Sequence, residues 1–221
     1  MKTSPLAAYA APFALFMAVL AVAPQLQLPP TADLLLRLLL PAAAILLLSR
    51  QLLDFRCANW LGSVAVGLGV FAVWVGPDLL WAGYREHWLF QNGLFGRLSH
   101  SVPPEAYLSP FNILLRIVRA AVVVPIVEEL FWRGFLMRWL IRQPFERVPL
   151  GSYAPAAFWV TAALFAVEHG PYWEVGLLAG IAYNWWMIRT KRLGDLFLAH
   201  AVTNLCLALF VLWTKRWDFW M

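Results

Sequence analysis

The chain has 221 residues, of which 62% are hydrophobic and 13% charged, with a mean hydropathy of +0.68. Soluble domains are nearer half apolar and a quarter charged, so an ordinary soluble domain is excluded. The formal charge of +5 implies no nucleic-acid partner, because Lys and Arg cluster at the ends of apolar runs, where they act as topology signals.

Taken in order, the apolar runs predict an all-α polytopic transmembrane bundle of seven to eight spans in a single membrane domain, residues 1–221. The start, Lys2 followed by apolar residues 6–23, resembles a secretory signal, and Ala21-Val22-Ala23 resembles a cleavage site. Pro24 directly after it opposes cleavage, so a first span is expected here. A second span is predicted over 32–49, with Arg37 in LLLRLLL snorkelling toward the interface, and a third over 60–81. Together these N-terminal spans fill residues 1–82. Residues 83–110 mix aromatics, charges, glycines and prolines and predict an interfacial segment, with His87 and His100 as ordinary loop histidines.

Residues 111–214 then supply the core helices. A long fourth span over 111–141 carries Arg116 and Arg119 in its first turns and the pair Glu128-Glu129 further on. Pro155 opens a short helix over 155–168, and another follows over 173–188 after the turn His169-Gly170-Pro171-Tyr172. Helices of about 14 to 16 residues reach about 21–24 Å against a hydrocarbon core of about 30 Å, so the turn with His169 is expected below the membrane surface. The last span, 193–213, holds His200 and Asn204. Thirteen Trp fit a protein with two membrane interfaces. An N-terminus in the cytoplasm places Lys2, Arg50, Arg56, Arg142, Arg147, Arg189, Lys191 and Arg192 inside, against Arg85, Arg97, Lys215 and Arg216 outside. That excess favours this orientation, in a bacterial inner membrane. Cys57 and Cys206 suggest neither a disulfide framework nor a thiolate metal site.

The stretch AVVVPIVEELFWRGFLMRWLIR, residues 121–142, places two carboxylates inside an apolar helix, where ionisable groups are costly. Glu129 and Arg133 are four apart and can pair on one face, while Glu128 points about 100° away and is left free. Phe165 and His169 share a face at the same spacing, as do His200 and Asn204. A carboxylate, two imidazoles and an amide gathered in a protein interior make a hydrolytic site: a carboxylate and one histidine polarise water, and the others stabilise an oxyanion. Taken singly, each has a structural alternative: an ion-pair network, a turn histidine, or helix-to-helix hydrogen bonding. Among other polar residues, Asp78 reads as a helix terminator and Asn184 as interhelical glue. Glu168 reads as an orienting partner or an interfacial residue.

The ordered motifs EExxxR at Glu128 to Arg133, FxxxH at Phe165 to His169 and HxxxN at His200 to Asn204 resemble the CPBP (Abi) family of intramembrane proteases, which includes the type II CAAX prenyl endopeptidases. The resemblance covers about 110–213. In length and Trp content the chain is most similar to the CAAX-protease-related proteins associated with exosortase and C-terminal sorting systems. The resemblance implies a membrane-embedded endopeptidase acting on a protein or peptide with a C-terminal processing signal. It further implies that Glu128 and His169 activate water, that His200 and Asn204 form the oxyanion site, and that Glu129 with Arg133 holds the catalytic helix, supported by Phe165. Some members of such families are immunity proteins or scaffolds, and a non-catalytic binding protein of the same fold is the alternative.

No cofactor is favoured. Zinc held by Glu128, His169 and His200 with a water in the fourth position is the competing arrangement. Against it, there is no HExxH pair, and using Glu128 as a ligand leaves no obvious general base, since Glu129 is committed to Arg133.

Overall fold

The computed structural model describes residues 4–93, 96 and 109–220, so His100 and Arg97 lie outside the described residues. The described chain is helical, with seven principal helices: α1 Pro5–Leu26, α2 Pro30–Leu52, α3 Trp60–Leu80, α4 Pro110–Trp139, α5 Pro155–Glu168, α6 Trp173–Thr190 and α7 Leu193–Thr214. Five of them, α1 to α4 and α7, are long and apolar enough to cross a membrane.

Local chemistry sets the boundaries. Ser4 Oγ accepts from the Ala7 amide at 3.2 Å, Asn59 Oδ1 from Gly62 at 2.9 Å and Ser109 Oγ from Asn112 at 3.5 Å, so α1, α3 and α4 each begin with a capping side chain. Prolines stand at the starts of α1, α2, α4 and α5, where the missing N–H leaves no hydrogen bond unmade. At the other end, Lys191 and Lys215 take left-handed conformations that close α6 and α7.

The helices pack through small residues rather than through leucine alone. A Cβ on Gly180 would stand 3.1 Å from Cα of Ala162, and one on Gly176 would stand 3.3 Å from Cα of Ala166 and 3.2 Å from Nδ1 of His169. The four-residue spacing of these glycines lets α6 lie close against α5, the packing that small-xxx-small patterns give between apolar helices. On the outward faces, Leu47, Leu80 and Trp213 are 76%, 72% and 84% exposed, an arrangement stable against hydrocarbon and unfavourable against water.

Two sequence expectations change here. Arg37 does not run out toward an interface. It is buried, its Nε donates to Asp33 Oδ2 at 2.7 Å, and it lines the central cavity, because the aspartate one turn earlier offers a charged acceptor inside the bundle. Asp78 does not end its helix, which continues to Leu80. Its carboxylate instead takes the Arg85 guanidinium, with NH2 to Oδ2 at 2.6 Å. Arg85 is therefore buried although it sits in the segment expected at the interface, and it also donates to Glu174 Oε1 and to the Pro171 carbonyl. The 83–110 stretch thus ties α3 to α6 through one arginine.

Helix α4 is not regular. Residues Arg119–Val123 and Leu130–Leu136 run in the wider π form, on either side of a short α stretch, Val124–Glu129. Such segments are rare and recur at functional sites. Pro125 has no N–H, and in π register the carbonyl left without a donor is that of Ala120. Asn204 Nδ2, from α7, donates to that oxygen at 2.8 Å.

Candidate active site

The three motifs lie on α4, on the end of α5 and on α7, and the fold brings them to one cavity of about 300 Å³. Glu128, Glu168, His169, His200 and Asn204 line it, with Arg37 and Arg119 as its basic residues.

The two glutamates part as their helical offset predicts. Arg133 NH1 donates to both oxygens of Glu129, at 3.0 and 3.1 Å, and Glu129 Oε1 also accepts from His200 Nδ1 at 2.9 Å. Arg133 is held further by Asn184, whose Oδ1 accepts from Nε at 2.8 Å, and by the Gly180 carbonyl, at 3.3 Å from NH2. The amide of Asn184 in turn donates to the Phe158 carbonyl at 2.8 Å. One guanidinium and one amide thus bind α4 to α5 and α6, with an acceptor for each of their side-chain nitrogens. Asn184 joins helices as its position predicts, and it also orients the arginine of the EExxxR motif.

Glu128 has none of this support. It is 4% exposed, and its Oε2 is buried with no hydrogen-bond partner, 4.0 Å from His200 Nε2. Leaving a polar oxygen in that condition costs about 1–3 kcal/mol, so the site holds a carboxylate whose acceptor is unused by the fold.

Both imidazoles are oriented through Nδ1. His169 Nδ1 lies 2.6 Å from the Phe165 carbonyl; a carbonyl can only accept, so the hydrogen sits on Nδ1 and Nε2 keeps its lone pair. The Phe165 ring lies 4.6 Å from the imidazole and Trp74 meets it edge-on at 5.1 Å. His200 directs Nδ1 at the Glu129 carboxylate, which fixes a hydrogen there and turns Nε2 toward Glu128. Its ring stacks on Tyr183 at 5.1 Å and 25°, and the Tyr183 hydroxyl is anchored by donating to Thr203 Oγ1 at 2.7 Å. Phe165 does more than its spacing implies, since the Arg133 guanidinium also lies over its face at 4.6 Å.

Several of these supports have no periodic signature. Trp74 and Tyr183 reach the histidines from other helices, and Thr203, on the helix of His200, anchors Tyr183. Glu168, next to His169 in sequence, lines the cavity and accepts from Trp132 Nε1 at 3.2 Å, so it is an oriented cavity carboxylate rather than an interfacial one. Asn204 gives one amide hydrogen to Ala120 and keeps a second. Among the described residues no three His, Cys, Asp or Glu side chains are grouped to hold a metal ion.

An apolar helical bundle with buried ionisable groups, several of them lining one cavity, defines an integral membrane protein with a polar internal site. Residues 110–206, from the first turn of α4 past Asn204, match the family model "Type II CAAX prenyl endopeptidase Rce1-like", so over this segment the chain is similar to that family. No curated protein and no solved structure matches the chain.

Proposed function

We propose that the protein is an intramembrane endopeptidase that cleaves near the C-terminus of membrane-associated proteins, with water activated by Glu128 and His169. The observation that carries this reading is the buried, unpartnered Glu128 oxygen beside His200 Nε2 on the shared cavity. A water between Glu128 and the scissile carbonyl loses a proton to the carboxylate as its oxygen adds to carbon. The developing oxyanion takes hydrogen bonds from His200 Nε2–H and from the second amide hydrogen of Asn204. For His200 this requires the doubly protonated ring, whose charge Glu129 balances across the 2.9 Å contact. Collapse of the tetrahedral adduct breaks the C–N bond, and the proton removed from water reaches the leaving amine through Glu128 or His169. The products are a carboxylate and an amine. Glu129 and Arg133 hold the helix, and Phe165 seats His169.

In this reading Glu128 serves as the base rather than as a ligand, and no step passes through a metal. The protein sits in the reading with its N-terminus cytoplasmic, in a bacterial inner membrane. Residues 1–82, 83–110 and 111–214 act as supporting spans, interfacial segment and catalytic core of a single membrane domain. The deciding experiment is cleavage of C-terminally tagged candidate substrates by purified wild-type and Glu128→Gln protein. Turnover by the variant at the wild-type rate overturns the reading, and a folded wild-type protein that binds candidates without cutting them makes it a scaffold instead. Elemental analysis tests the metal-free mechanism: activity without bound zinc is expected, and one zinc per chain, lost and restored together with activity, overturns it.

A further inference from the structure

The cavity carries positive charge that the proposed hydrolysis does not use. Arg37 and Arg119 line it together with Glu128 and Asn204. Nearby, Arg116 is tied to the Trp220 carbonyl by NH2 at 2.6 Å and lies over the Trp220 ring at 4.6 Å. Arg37 is paired through Nε with Asp33, which leaves its two terminal nitrogens uncommitted. Arg119 lacks even this: its Nε is buried with no hydrogen-bond partner, and among the described residues no carboxylate pairs with it. Among the described residues that line this end of the cavity or pair with its lining, Asp33 is the acid beside Arg37 and Arg119. A guanidinium kept inside an apolar bundle without an anion is costly, and a cavity that holds one is complementary to an anionic ligand.

We infer that Arg119, assisted by Arg37, is the anchor for the C-terminal carboxylate of the peptide that enters the cavity, and so a specificity-determining residue. This rests on the proposed peptidase reading of the same site. The geometry favours a carboxylate borne by a peptide. Arg119, Ala120, Val124 and Glu128 all face the cavity from one helix, and nine residues of helix separate Arg119 from Glu128 by about 13 Å at 1.5 Å per residue. An extended peptide covers that distance in about four residues, and in fewer once the arginine's own reach is counted. A peptide whose terminal carboxylate meets the planar fork of Arg119 thus lays a peptide bond within a few residues of its end beside Glu128, and the apolar walls Phe16, Leu20 and Leu207 take its side chains. The anchor acts as a ruler, setting how far from the terminus the cut falls.

The test uses the full-length protein in detergent and two probes: N-acetylated tri-leucine with a free C-terminal carboxylate, and the same peptide as its C-terminal amide. Wild-type protein is expected to bind the carboxylate about tenfold or more tightly than the amide, as a charge-assisted pair requires. Arg119→Gln brings the two to equal affinity. Arg119→Lys, which keeps the charge but not the fork, retains part of the preference and serves where the glutamine variant fails to fold. Equal binding of both probes by wild type overturns the proposal, as does a preference that survives in Arg119→Gln. Dihexanoyl phosphatidylglycerol provides the control for a lipid phosphate: weaker binding than the peptide acid supports the proposal, and tighter, Arg119-dependent binding overturns it. Cleavage of a longer substrate is scored separately. Carboxylate preference without cleavage keeps the anchor and removes the peptidase, whereas cleavage without preference removes the anchor alone.

Discussion

Two of the buried polar clusters among the described residues are built differently. In one, Arg85 directs its nitrogens to both oxygens of Asp78, to one of Glu174 and to the Pro171 carbonyl, and Tyr172 covers its face at 4.2 Å. In the other, Glu129 and Arg133 are as fully engaged, but Glu128 beside them has a buried oxygen with no partner and faces a cavity. The first cluster joins α3 to α6 and leaves its arginine nothing further to bind. The second couples a satisfied half, which fixes geometry, to an unsatisfied half, which is left for chemistry. Buried charge is common to both, and so is a buried oxygen without a hydrogen-bond partner, Glu174 Oε2 in the first and Glu128 Oε2 in the second; what marks the site is that Glu128 lines the cavity and Glu174 does not.

Breaking the two halves of the second cluster should give opposite phenotypes. Glu128→Gln keeps the shape and removes the base, so peptide cleavage should fall by about 10²–10⁴-fold with an unchanged melting temperature, measured as initial rates alongside a thermal scan in detergent. Arg133→Ala leaves Glu129 without its guanidinium, and the stability loss should be about 3–5 kcal/mol, seen as reduced yield and an earlier melting transition. A variant that melts normally would show that this half holds nothing. The Arg85 cluster supplies the control: Arg85→Met should also lower stability, by about 3 kcal/mol, but the rate per folded molecule should stay near wild type. A selective loss of turnover there would blur the distinction between the clusters. The smallest effect is expected from Tyr183→Phe, which retains the ring stacked on His200 and removes one buried hydrogen bond to Thr203. About 0.5–1.5 kcal/mol of stability should be lost, with a modest fall in rate as His200 gains freedom.

Where helices begin and end was written locally. Capping Ser4, Asn59 and Ser109, the prolines at helix starts and the long apolar runs need only short-range chemistry, so the predicted spans agree with the structure to within a few residues at each end. The four-residue spacings likewise placed Glu129 against Arg133 and Phe165 beneath His169, because partners one helical turn apart meet whatever the rest of the chain does. They also set Glu128 apart from its neighbour. What lay across helices could not be read in this way. Arg37 turned inward because α2 packs where the cavity lies, Asp78 found Arg85 across a loop, and Asn204 met a carbonyl that Pro125 had left without a donor. Trp74 and Tyr183, which set the histidine rings, lie on helices outside all three motifs. Sequence periodicity records which face a side chain takes on its own helix; which other helix that face meets is fixed only when close packing through residues such as Gly176 and Gly180 sets the bundle.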